Sequence, residues 1–295
     1  MSNLTKRLIF AIWAIPMGWW VINCGSFSIP GISVSIYPGQ IVVMALILIS
    51  NYEYTRMLAI SYKPNLFWLS YLWLAMQFYG FFDKNLAMPS NMSFFVLFFL
   101  VALEAFVCGR KNKQKRWVRA SLLFSGTAFL SVAAISLLNF YSEPFQHLFR
   151  SYSHQMLSQI GIVLIFTSIF MCDSAAYFVG SAWGKTHFSS ISPKKTVEGS
   201  IGGLTASVLV CSIGWYFFAS PGYARWLGIV LGILIGVFAQ IGDLVVSLMK
   251  RNFCVKDSSG LIPGHGGILD RFDSVFFSAP IVSIFLWVIS KIMVN

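Results

Sequence analysis

Apolar residues along this 295-residue chain do not alternate with polar ones; they gather into long runs parted by short polar segments. A helix needs roughly 20 apolar residues to cross the hydrocarbon core of a bilayer. Runs approaching that length are Leu8 to Ile22, Ile36 to Tyr54, Leu66 to Phe82, Met92 to Val107, Ala120 to Phe140, Gln159 to Phe178, Ser200 to Phe218, Trp226 to Leu248 and Ser274 to Met293. The pattern predicts an all-α, polytopic integral membrane protein of about nine transmembrane helices. The first and fourth runs are the shortest.

Composition agrees, because 57% hydrophobic and 11% charged residues fall outside the range of ordinary soluble domains. Charge then predicts an orientation. With the N-terminus inside, only Lys84, Arg150, Arg225 and Lys291 of the 21 basic residues face outward, and Lys and Arg favour the cytoplasmic side of short loops. The expectation is N-in and C-out. A net charge of +11 is then a cytoplasmic face meeting anionic lipid, densest in GRKNKQKRWVR from Gly109 to Arg119. No basic soluble domain is present to bind nucleic acid, which is excluded as a partner. Five scattered cysteines lack metal-ligand spacing and read as small apolar residues. Lys6 and Arg7 ahead of an apolar run read as a retained first helix rather than a cleaved leader.

The ten acidic residues divide the chain. Glu53, Asp83, Glu104 and Glu143 each stand alone in weakly patterned sequence, so residues 1–150 read as N-terminal scaffold helices. Asp173, Glu198, Asp243, Asp257, Asp270 and Asp273 belong to polar motifs, so residues 151–295 read as the catalytic region of one integrated membrane domain. Asp173, Tyr177, Gly180 and Gly184 share one helical stripe. Its glycines suit either a tight helix crossing or a ligand, whereas an acidic residue within a span usually faces a cavity or partner.

ISPKKTVEGSIGG follows. Ser192 and Pro193 begin a turn, Lys194 and Lys195 are adjacent point charges, and Thr196 caps the next helix with Glu198 and Gly199 in its first turn. Lysines beside helix-start amides make a candidate anion cradle, although a basic pair at a membrane edge also serves topology. The string is not a P-loop. Gly236, Gln240, Asp243 and Ser247 form a second stripe, continued by Lys250. Asp243 suits a cation near the headgroup level, and Asp270 at the start of the ninth run is a candidate second oxygen ligand. Magnesium takes few carboxylates together with phosphates and water, which suits so sparse an acidic inventory. His265 in PGHGG sits where glycines allow close approach to a phosphate.

Ser247, Leu248, Met249, Lys250, Arg251, Lys256, Asp257, Pro263, His265, Gly266, Gly267, Asp270, Arg271 and Asp273 together resemble the signature of the phosphatidate cytidylyltransferase (CDP-diglyceride synthase) family. The D-S-x-A-Y stretch at Asp173 and S-P-K-K-T-x-E-G at Ser192 also resemble family elements. Ser181 departs from the pattern, where many relatives carry a basic residue. The resemblance implies transfer of a cytidylyl group from CTP to phosphatidic acid, giving CDP-diacylglycerol and pyrophosphate at the cytoplasmic face of a lipid-synthesising membrane such as the bacterial inner membrane. It implies Mg²⁺, with a second cation beside it, held by Asp243 and Asp270 with aid from Asp173 or Asp273. Lys250, Arg251, His265 and Ser247 would act in catalysis. Ser192, Lys194, Lys195, Thr196, Lys256, Gly266, Gly267 and Arg271 would bind substrate. A homodimer among membrane lipids is also implied.

Two other readings of the residues compete. A CTP-dependent lipid kinase would attack the γ-phosphate with a lipid hydroxyl and would need a general base. A transporter or flippase would use Asp173 and Asp243 as ion sites, but it would tend to show paired halves and midplane breaks. The D-G-x-x-A-R motif of CDP-alcohol phosphotransferases is absent.

Overall fold

The computed structural model describes residues 27–28, 35–61, 67–82, 113–141, 148–149, 160–187, 192, 195–262 and 266–294. Among these the architecture is helical: α1 (Pro38–Ser61), α2 (Trp68–Phe82), α3 (Lys113–Asn139), α4 (Ile160–Trp183), α5 (Val197–Phe218), α6 (Leu227–Asn252) and α7 (Leu269–Val294). A two-residue antiparallel ladder, β1 (Phe27–Ser28) with β2 (Ser35–Ile36), precedes them. Each helix coincides with one apolar run of the sequence. Six are long and apolar enough to cross a membrane. The exception, α2, has 15 residues, which at 1.5 Å per residue falls short of a bilayer core. The runs at 8–22 and 92–107, and so the full span count, lie outside the described residues.

Side-chain meetings fix how the helices run. Gly199 lies against Gly180, Gly203 against Cys172 and Gly214 against Leu164, so α4 and α5 are antiparallel. Gly228 against Cys211, Gly232 against Val208 and Gly236 against Leu204 make α5 and α6 antiparallel too. At Gly232 an added Cβ would come within 2.5 Å of the Val208 Cα; here the backbones meet because no side chain intervenes. The Ser207 hydroxyl donates across this seam to the Gly232 carbonyl at 2.8 Å. Gly242 packs on Phe277 of α7, and Phe129 of α3 meets the same ring with centroids 5.9 Å apart. Tyr54 of α1 donates its hydroxyl to the Leu122 carbonyl of α3 at 2.5 Å.

These pairings have one consequence for function. The C-terminal ends of α1, α4 and α6 and the N-terminal ends of α3, α5 and α7 lie at the same end of the bundle. The described residues of the polar motifs around Asp173, Thr196, Asp243 and Asp270 are carried to that end.

Candidate active site

Thr196 stops the chain from entering α5 too early: it is extended (φ −118°, ψ 153°), and its hydroxyl accepts the Gly199 amide at 3.1 Å. This is the N-cap expected from the sequence. Glu198 turns back and accepts the Lys185 and Thr186 amides, each at 3.2 Å. Val197 in turn donates to the Thr186 carbonyl at 2.9 Å. The end of α4 is thereby sewn to the start of α5, which holds Lys195 over α6. Ser192 accepts the Lys195 amide through its carbonyl at 3.0 Å.

On α6 the stripe expected from the sequence divides in two. Gly236 packs on α5, and the Gln240 amide donates to the Ser200 carbonyl at 3.0 Å. These residues hold helices together. Further along, Asp243 is half-buried and pairs with Lys195 at 2.5 Å, with the Ser247 hydroxyl 3.3 Å from its other oxygen. Asp173 of α4 and Asp273 of α7 lie within electrostatic reach of Asp243, so that burial and then the negative charge of its neighbours oppose ionisation within the cluster. Lys195 offsets part of that opposition at Asp173, and Lys250 does so at Asp273. The Tyr177 and Gly180 positions of the α4 stripe diverge: Tyr177 is exposed, whereas Gly180 and Gly184 pack against Thr196, as a helix crossing requires.

Helix α6 ends with Lys250 and Arg251 in its last turn, where cations complement the helix dipole. Cys254 takes a positive φ of 58°, turning the chain back, and the Val255 amide closes on the Lys250 carbonyl at 2.9 Å. Lys250 pairs with Asp270 Oδ1 at 2.7 Å, with side chains only 12% and 6% exposed. Asp270 Oδ2 accepts the Ser258 amide (2.8 Å), the Ser258 hydroxyl (3.0 Å) and the Gly267 amide (3.1 Å). Both oxygens of Asp270 are therefore engaged within the protein. Gly266 needs its glycine, at φ +85°.

A residue that sequence reasoning passed over completes this end. Glu53 of α1 is wholly buried, and its carboxylate accepts the Ser258 hydroxyl (2.9 Å), the Ser259 hydroxyl (2.5 Å), the Ile268 amide (2.9 Å) and the Leu269 amide (2.8 Å). It caps α7 from a distant helix. Only its being an acidic residue inside an apolar run hinted at this.

Arg251, Lys256 and Arg271 are exposed at the same end. His265 and Lys194 lie outside the described residues. The structure thus brings Asp173, Lys195, Asp243, Ser247, Lys250, Asp270 and Asp273 to one place. Among the described residues no three acidic, histidine or cysteine side chains are gathered tightly enough to coordinate one ion as they stand. The match to a divalent cation is one of donor chemistry: three neighbouring carboxyl groups supply hard oxygen donors, and the buried Asp273 is one whose ionisation the present surroundings oppose and a cation would favour.

The profile of the cytidylyltransferase family matches residues 5–289. A phosphatidate cytidylyltransferase of Bacillus subtilis is 34% identical over 251 residues, covering 82% of this chain and 86% of that protein. One from a Synechocystis species is 47% identical over 133 residues, 45% of each chain. One from Staphylococcus saprophyticus is 44% identical over 126 residues, 42% of this chain and 48% of that protein. The last two alignments span about half the length of those relatives.

Proposed function

Because the chain belongs to the cytidylyltransferase family, we propose that it transfers the cytidylyl group of CTP to phosphatidic acid, releasing pyrophosphate and forming CDP-diacylglycerol. The observation that carries this reading is the convergence of two ion pairs, Lys195 with Asp243 and Lys250 with Asp270, on one end of α5, α6 and α7 beside Asp173 and Asp273. Movable cations beside a carboxylate set suit a polyphosphate better than a neutral solute.

In the reaction an oxygen of the phosphatidate phosphate attacks the α-phosphorus of CTP. The bond from that phosphorus to the bridging oxygen of the β-phosphate breaks, and pyrophosphate leaves. A phosphate monoester is largely dianionic near neutral pH, its second pKa being about 6, so the attack needs no general base. It needs charge neutralisation and alignment. Lys195 and Lys250 supply positive charge by exchanging carboxylate for phosphate, and exposed Arg251, Lys256 and Arg271 extend that charge toward solvent. Ser247 is placed to donate from beside Asp243.

Magnesium, when bound, would polarise the phosphates and stabilise the leaving pyrophosphate. Asp173, Asp243 and Asp273 would hold it, with Asp270 as the fourth carboxylate, where Lys250 now stands in a cation's place. The basic residues Lys185, Lys195, Lys250, Arg251, Lys256 and Arg271 all fall at the site's end of the bundle, which supports a site on the cytoplasmic side.

Mass spectrometry of lipid recovered after incubation with CTP, phosphatidic acid and Mg²⁺ tests this reading. The expected product carries one added CMP unit, with pyrophosphate in the water phase. A lipid gaining a single phosphate, with CDP released, would replace this reaction by a lipid kinase.

A further inference from the structure

Glu53 presents a problem of energetics whose solution reaches the active site. A carboxylate with no exposed surface inside a membrane-spanning helix is costly unless it is fully hydrogen-bonded. Its partners are all donors: two hydroxyls and the two amides at the start of α7. Charge-assisted bonds of this kind are stronger than neutral ones, and the positive end of the α7 dipole adds to them.

The Ser258 hydroxyl stands 2.9 Å from Glu53 Oε2 and 3.0 Å from Asp270 Oδ2, with one proton to share between them. Asp270 in turn holds Lys250. At Gly267 an added Cβ would lie within 2.6 Å of both Glu53 oxygens, so the backbone there admits the carboxylate only as glycine. A continuous set of contacts runs from α1 through Ser258 and Asp270 to Lys250.

We propose that Glu53, in the first half of the chain, is a positioning residue for the transfer reaction, acting through Ser258 on Asp270 and so on Lys250. The inference rests on the cytidylyl-transfer reading for its kinetics, and on geometry alone for the hold of Glu53 on α7. The scaffold half thereby enters the chemistry without touching substrate. A staple that merely held the fold would leave each folded molecule fully active.

The test uses the full chain purified in detergent, with kcat and KM measured for CTP and phosphatidic acid. Glu53→Gln keeps the shape but removes one acceptor oxygen, and kcat per folded molecule falls about 10- to 100-fold, the scale of a small misplacement. Ser258→Ala lowers kcat as well. The double variant is no slower than Glu53→Gln alone, because both changes cut one path. Full kcat in folded Glu53→Gln, or losses that multiply in the double variant, overturns the proposal.

Hydrogen exchange in peptides covering Ile268 and Leu269 supplies an arm that does not depend on turnover. Exchange there rises in Glu53→Gln, and unchanged exchange overturns the hold of Glu53 on α7. A wild-type protein that forms no CDP-diacylglycerol sinks the assigned reaction instead, and the exchange result then decides whether Glu53 holds the helix.

Discussion

Lys195 and Asp243 meet at 2.5 Å, joining the segment before α5 to the C-terminal half of α6. Both side chains remain partly exposed, at 26% and 34%, so the pair can be opened by a competing ligand at modest cost. In the proposed reaction the carboxylate would be released to a cation and the ammonium to a phosphate in the same event.

On the proposed reaction Asp243→Asn removes a function and not just a contact. Product formation falls at least about 100-fold, because a carboxylate aimed at developing charge is lost. Lys195→Ala costs about 10-fold or more in kcat/KM. Radiometric turnover of the two purified variants checks both values, and near-normal rates would remove this pair from the site.

The Lys250–Asp270 pair is more deeply buried, and its removal has a different signature. Asp270→Asn or Lys250→Met leaves one uncompensated charge and destabilises by about 3 kcal/mol. The double variant Lys250→Met with Asp270→Asn is more stable than either single one but inactive. Thermal unfolding in detergent reads the stability order, and an additive double variant contradicts it.

Burial and mutual repulsion disfavour full ionisation of the Asp173, Asp243 and Asp273 cluster, so a bound cation is expected to stabilise the fold. If these carboxylates hold magnesium as proposed, the ion binds the folded protein preferentially and the expected outcome is a rise in Tm by mass action. The rise disappears in Asp243→Asn with Asp273→Asn, whose own Tm without metal is no lower than that of the wild type. An equal Mg²⁺ response in both proteins would show that these carboxylates do not hold the ion.

At the α5–α6 seam Gly232→Leu forces side-chain atoms into the Val208 backbone. Overpacking of this kind costs about 1 to 3 kcal/mol. Ile233→Leu, one residue on and facing away from the core, leaves Tm within a degree or two. Paired melting curves decide, and equal Tm values would mean that the seam is looser than the backbone distances indicate.

The helices were legible because lipid imposes a length and an apolar composition that sequence records directly. Asp243 was legible from its stripe, and Thr196 from its position before a helical run. The same stripe could not tell Asp243 from Gln240, which shares its face but binds the Ser200 carbonyl; periodicity reports a face, not what the face meets. Asp270 read in sequence as a candidate second oxygen ligand, and no local pattern announced that both its oxygens are engaged by Lys250, Ser258 and Gly267 in the fold. Glu53 was illegible for a simpler reason. Its partners lie more than 200 residues away along the chain, and no local pattern marks a cap supplied by another helix.

Incubation with CTP labelled either at the α- or at the γ-phosphate, together with phosphatidic acid and Mg²⁺, separates the candidate reactions most directly. The arrangement of Asp173, Lys195, Asp243 and Lys250 predicts that α-label enters the lipid one for one with released pyrophosphate, that γ-label never does, and that Asp243→Asn incorporates neither. Lipid labelled from the γ-position, or undiminished α-label in Asp243→Asn, would contradict it.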